Sequence, residues 1–157
     1  ATHGLVAGDL SNLSEPALVF TPPATPTRED DGLLRASDAA QLKLNADWIV
    51  LSACNTAASD GSEGAAGLSG LAKAFFYAGA RSLLVSHWPV DSAAAVQLTT
   101  GAFKALEPHP EIGRAEALRR SIVRLIDQAG QKDEPAYFAH PMFWAPFVLV
   151  GEGGAGR

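Results

Sequence analysis

A second cysteine is missing from this chain, so Cys54 has no partner for an internal disulfide and rests as a free thiol suited to a reducing compartment. An excess of positive charge is also missing: the formal net charge is −5, the sequence pI is near 5.3, and no basic patch is visible. That excludes a general nucleic-acid binder, which neutralises phosphates with lysine and arginine. No apolar run approaches the ~20 residues that cross a bilayer, and no charged-then-apolar export signal is read at the N-terminus. The expectation is therefore a cytoplasmic protein with neither a membrane nor a nucleic-acid partner. The histidines and carboxylates lack metal-ligand spacing, so no metal or other cofactor is expected, although the acidic loop around Asp60 and Glu63 leaves room for a divalent ion. Internal repeats are absent as well.

What is present is enough apolar material for one core: 157 residues, 47% of them hydrophobic, read as a single domain over residues 1–157. Its organising stretch is Trp48-Ile49-Val50-Leu51-Ser52-Ala53-Cys54-Asn55-Thr56, an apolar run that ends in small and polar residues around the thiol. Residues 48–51 have the length and β-branched content of a buried parallel strand. Such a strand delivers Cys54 to the carboxyl edge of a sheet, where loops vary freely and ligands bind.

In chain order, residues 1–16 read as a loop leaving a sheet, with His3-Gly4 inside the tail of a strand. Ala17 to Phe20 is a short strand stopped by Pro22, Pro23 and Pro26, and Thr21 to Gly32 is an exposed excursion. Ser37 is expected to cap a helix carrying Ala39, Ala40, Leu42 and Leu44. After Cys54, a glycine-rich loop from Ala57 to Gly67 precedes a helix with Leu68, Leu71, Ala72, Phe75 and Phe76 on one face and Gly79 as its stop. Ser82 to Trp88 is a buried strand. Asp91 or Ser92 then caps a helix to Leu106, with Val96, Thr99, Phe103 and Leu106 expected inward. A further helix, ending near Gly130, sets Leu118, Ile122, Leu125 and Ile126 against Arg114, Arg119, Arg120 and Arg124. A loop over 130–139 leads to a last strand, Met142 to Val150, which Pro146 confines to an edge or a bulge. Strands alternating with helices imply an α/β fold, a mainly parallel sheet with helices on both faces.

A thiol is a nucleophile only as thiolate, and an imidazole nearby lowers its pKa. Of the four histidines, His109 sits between prolines in an exposed turn, and His140 reads as a hydrogen-bonding residue at a loop junction. His87, at the end of a strand neighbouring that of Cys54, is a candidate to line the same cleft. His3 precedes Gly4, whose missing side chain lets a backbone amide approach a reacting carbonyl.

A strand ending in His3-Gly4 and a later one ending in Ala53-Cys54 resemble the two signature motifs of the caspase-like cysteine peptidases of clan CD. More narrowly, Leu51 to Ala57 (LSACNTA), Gly67 to Arg81, Ser86 to Asp91 (SHWPVD) and His140 to Gly151 (HPMFWAPFVLVG) resemble the CHAT domain family, a bacterial branch often fused to tetratricopeptide repeats. Four motifs in order cover nearly the whole chain.

The resemblance implies a hydrolase, a cysteine endopeptidase acting on a protein or peptide. In it Cys54 attacks the carbonyl, His3 is the general acid/base, and the backbone amides of Gly4 and Cys54 form the oxyanion hole. Trp88 lines the pocket for the residue before the scissile bond, with His87 and Asp91 as further substrate-binding candidates. Asp91 facing the pocket would favour a basic side chain there; Asp91 acting only as a helix cap leaves the pocket free to be apolar. Strands that precede the His-Gly strand in a caspase-like sheet are missing, so the chain is expected to be truncated on its N-terminal side, with the C-terminal part of the full fold as the alternative to a nearly whole one. An N-terminal repeat region, or another regulatory domain or chain, is the expected partner.

Two other readings fit the same residues. A non-catalytic caspase-like interaction or regulatory module keeps the shape without turnover. A condensing-enzyme-like acyltransferase also places a cysteine on a strand-to-helix turn, but the chain is too short for both halves of that fold.

Overall fold

The computed structural model describes residues 3–27, 30–51, 70–131 and 134–155. Three short strands, β1 (His3–Leu5), β2 (Ala17–Val19) and β3 (Leu33–Arg35), form an antiparallel sheet in that order. His3 is opposite Val19 and Gly4 opposite Leu18, which in turn pairs with Leu34. The sequence pattern anticipates β2; β3 is too short to leave a periodic signal and is held by its register on β2.

Next comes α1 (Ala36–Ala39), a single turn of helix. Its N-cap is Arg35, whose N–H donates to the Asp38 Oδ2 at 3.2 Å. Ser37, expected as the cap, lies one step inside the helix. There its N–H and Oγ–H donate to the Glu15 carboxylate at 2.7 and 2.8 Å, tying α1 to the loop before β2.

A second sheet has the order β4 (Ile49–Val50), β5 (Ser82–Ser86), β6 (Phe147–Gly151). β4 and β5 are parallel, and the Leu51 N–H extends the pairing by donating to the Leu84 carbonyl at 2.8 Å. β6 runs antiparallel to β5, so the described strands are mixed rather than mainly parallel. The reason lies in the connection. One helix between strands returns the chain for a parallel strand, but β5 and β6 are joined by two helices packed side by side, α3 (Ser92–Leu106) and α4 (Gly113–Gln128). The second helix carries the chain back to the edge where β5 ended, and β6 must run the other way.

Alternation along β5 divides the interior in two. Leu83 and Val85 join Leu18, Ala39, Leu51, Leu71, Ala72 and Phe75 in one cluster, built with α1 and α2 (Gly70–Tyr77). Leu84 faces the other way, into a cluster with Leu98, Leu118, Leu125, Phe138 and Phe147 under α3 and α4. Helices therefore cover both faces of this sheet, as α/β patterning requires. The α2 helix ends at Gly79, whose φ of +101° only glycine adopts cheaply; a Cβ there would meet the Leu44 carbonyl oxygen at 2.2 Å.

The buried face of α3 is not the expected one. Val96 and Phe103 are 59% and 51% exposed, while Ala94, Ala95, Leu98, Gly101, Ala102 and Ala105 face inward. Small residues let α3 lie close against α4, and close approach there outweighs burial of the two larger side chains. Arg114, placed with the outward arginines of α4, is 8% exposed instead. Its guanidinium donates to the Glu152 carbonyl at 3.4 Å and lies 3.8 Å from Asp47. The last strand starts at Phe147 rather than Met142, because 136–139 and 141–143 form short 3-10 turns.

Candidate functional site

Because β4 and β5 are parallel, the chain leaving Leu51 emerges at the same sheet edge as the chain leaving Ser86. At that edge stand His87 and Trp88, both exposed. They are fixed from behind: the His87 N–H donates to the Pro146 carbonyl at 3.1 Å, and the Trp88 indole Nε1–H to the Met142 carbonyl at 3.4 Å. The strand β5 can end there because Pro89 offers no N–H for a further rung.

Asp91 caps α3, its Oδ1 accepting from the Ala94 N–H at 2.9 Å. Of the two roles open to this carboxylate, the cap is the one its geometry satisfies.

His3 is the exposed first residue of β1, and Gly4 beside it is half-buried. Their strand reaches the core through β2: Gly4 pairs with Leu18, and Leu18 shares its buried cluster with Leu51. Cys54 follows Leu51 by three positions in the sequence. Cys54 itself, its backbone amide, and the loop with Asp60 and Glu63 lie outside the described residues. The structure thus brings His87, Trp88 and Asp91 into one segment at the carboxyl edge, and attaches the His3-Gly4 strand to the cluster beneath the end of β4.

The segment after α4 contributes residues that sequence patterning did not single out as site residues. The Met142 N–H donates to the His140 Nδ1 at 3.2 Å, and the Trp144 Nε1–H donates to the Ala139 carbonyl at 3.2 Å. Met142 is held by its backbone on both sides, its N–H on His140 and its carbonyl under the Trp88 indole, and the residue is 60% exposed. The His-Pro pair at 140–141 was the available signal, since it marks a turn that a ring nitrogen can close. His109 is a surface residue, its Nδ1 3.0 Å from the Glu111 carboxylate.

Among the described residues no group of three or more His, Cys, Asp or Glu side chains is placed to hold a metal ion. Nor is any described helix long and apolar enough to cross a membrane.

A sheet lined by helices on both faces, with an exposed His-Trp pair where its parallel strands end, is an α/β arrangement. The model of the CHAT domain matches residues 1–152, and the chain belongs to this caspase-like family. It is also similar to tetratricopeptide repeat protein 28 of mouse, 29% identical over 165 residues covering 96% of this chain. The human protein of the same name is 30% identical over 119 residues, 76% of this chain. The chain spans only 6% and 4% of the lengths of these relatives. Both are mammalian proteins, so they lend no support to a bacterial setting, and their name describes repeats rather than an activity.

Proposed function

We propose that this domain is a caspase-like cysteine endopeptidase that cleaves a protein through Cys54 and His3. The observation that supports it best is the shared cluster of Leu18 and Leu51, which tethers the His3-Gly4 strand to the strand leading into Cys54. In this reading the Cys54 thiolate adds to the scissile carbonyl carbon, and the amides of Gly4 and Cys54 receive the oxyanion. Collapse breaks the C–N bond as the His3 imidazolium protonates the departing amine. Water, losing a proton to His3, then attacks the thioester; collapse expels the Cys54 thiolate beside the His3 imidazolium, and the released acid gives its proton to solvent.

Trp88 lines the pocket for the residue before the cut. With Asp91 committed to its cap and the exposed Met142 tied through its carbonyl to the Trp88 indole, that pocket suits an apolar side chain. The expected bacterial cytoplasm, the mainly parallel caspase-like sheet completed beyond these residues, and a repeat region as regulatory partner belong to the same proposal. Digestion of an unbiased peptide library, by the chain joined to any such region, tests it: cuts lost in both Cys54→Ala and His3→Ala support the reading, and cuts that persist in either overturn it.

A second reading, a non-catalytic interaction or regulatory module, draws on the relatives' repeat-based name. Thiol chemistry separates the two. A thiolate paired with His3 alkylates with iodoacetamide well below pH 8, whereas a structural thiol stays inert until unfolding.

A further inference from the structure

Away from the strand ends, α3 and α4 flank a cavity of about 220 Å³ lined by Gln97, Thr100, Lys104, Arg124, Gln128 and Glu134. Its floor is Ser121 and Leu125. The helices are pinned beneath it by the Ser121 Oγ–H, which donates to the Leu98 carbonyl at 2.8 Å, so the groove is built into the packing of the two helices.

Its charge sets it apart. Arg35, Arg81, Arg114, Arg119 and Arg120 each hold a carboxylate partner. Lys104 and Arg124, like Lys43 and Lys73, make no ion pair among the described residues, but these two line one cavity in a chain of net charge −5. The acid present, Glu134, is engaged at its Oε2 by the Gln97 amide at 2.7 Å. The hydroxyls are also spent as donors: Thr100 Oγ1–H on the Val96 carbonyl at 2.6 Å and Ser121 on Leu98. The remaining donors are the guanidinium, the ammonium, the Gln128 amide and the second N–H of the Gln97 amide.

We infer that this groove binds a small phosphate monoester. A guanidinium fork and a separate ammonium around one cavity match a tetrahedral dianion better than a planar carboxylate of single charge. The volume is below the ~300–1,000 Å³ of drug-sized sites, which limits the ligand to a phosphate with a short polar body. Glu134 turns away long polyanions, and its free oxygen accepts from a hydroxyl of the ester. This site is independent of Cys54 and of any protease activity.

Calorimetric titration of the whole chain with sn-glycerol 3-phosphate, and with glycerol as control, tests the assignment. Expected are saturable binding of the ester at one site, no binding of glycerol, and a loss of about tenfold or more in affinity for each of Lys104→Ala and Arg124→Ala. Both side chains are exposed, so the variants should fold, which their circular dichroism checks. No saturation with the ester up to ~10 mM, or affinity unchanged in the double variant, overturns it. So does binding confined to phosphatidylcholine vesicles containing phosphatidic acid, since that would place the phosphate on a membrane.

Discussion

Gly101 of α3 lies so close to Ser121 of α4 that a Cβ on the glycine would sit 2.3 Å from the serine Oγ. That hydroxyl is already committed to the Leu98 carbonyl. Gly101→Ala is therefore expected to destabilise the domain by about 1–3 kcal/mol through overpacking, even against the ~1 kcal/mol that alanine gains over glycine in a helix. Urea denaturation measures it. Pairing the change with Ser121→Ala should recover most of the loss, and a fully stable single variant would mean the helices can part at no cost.

Gly79 and Gly8 offer an internal comparison. Both have positive φ, +101° and +91°, but a Cβ at Gly79 meets the Leu44 oxygen at 2.2 Å and one at Gly8 meets nothing within 4 Å. Gly8→Ala should lose roughly 1 kcal/mol from backbone strain alone, and Gly79→Ala roughly 2–4 kcal/mol. Equal losses in denaturant midpoints would remove the steric part of the argument.

Asp91 separates capping from charge. Asp91→Ala should cost about 1 kcal/mol, whereas Asp91→Asn keeps an acceptor for the Ala94 N–H and should be nearly neutral. Under the proposed activity, Asp91→Asn also leaves the preferred residue before the cut unchanged. A switch in that preference from basic to neutral would show the carboxylate facing substrate.

For the proposed dyad, Cys54→Ala and His3→Ala should each abolish peptide cleavage. His3→Ala should keep the unfolding free energy within about 0.5 kcal/mol of the parent, because His3 is an exposed residue. If Cys54→Ala instead cost several kcal/mol, the thiol would be a packing element and the protease reading would fall.

Acid stability carries the mark of one surface cluster. Hydrogen bonds from Arg119 and then Arg120 hold the Glu116 carboxyl at a pKa of about 2, below its ordinary 4.5. A depressed folded pKa means the carboxylate's contribution is complete above roughly pH 4.5 and is lost as pH falls toward 2. Thermal midpoints across that window should fall less steeply in Glu116→Gln than in the parent. Parallel curves would show that the exposed pairs are screened out by solvent.

Much of the architecture was legible because it rests on strong local patterns. The β5 run, the stop at Gly79 and the cap at Asp91 each carry a signal within a few residues. The α3 face was misread because hydropathy weights Val96 and Phe103 above the alanines and Gly101, although smallness is what close packing selects. Arg114 hides its charge behind a long stem that reaches a carbonyl distant in sequence, which no local window contains. The antiparallel β6 follows from the pairing of two helices, a tertiary fact. Of the candidate site, the order of His87, Trp88 and Asp91 after one buried strand was legible, but that strand was read through Trp88 and stops at Ser86, where the chain turns out over the edge. The tie from the Trp88 indole to the Met142 carbonyl was not, since it joins segments far apart in the chain.

The buried strand β5 is oily on one side, where Leu83 and Val85 lie, and carries two alcohols, Ser82 and Ser86, on either side of Leu84 on the other. Ser82 spends its hydroxyl on the Asp47 carbonyl at 2.7 Å. Sliding this strand by one position would thrust both alcohols into hydrocarbon and strand that bond. Misthreading is thus penalised twice, and the alignment that remains is the one that sends His87 and Trp88 out over the rim.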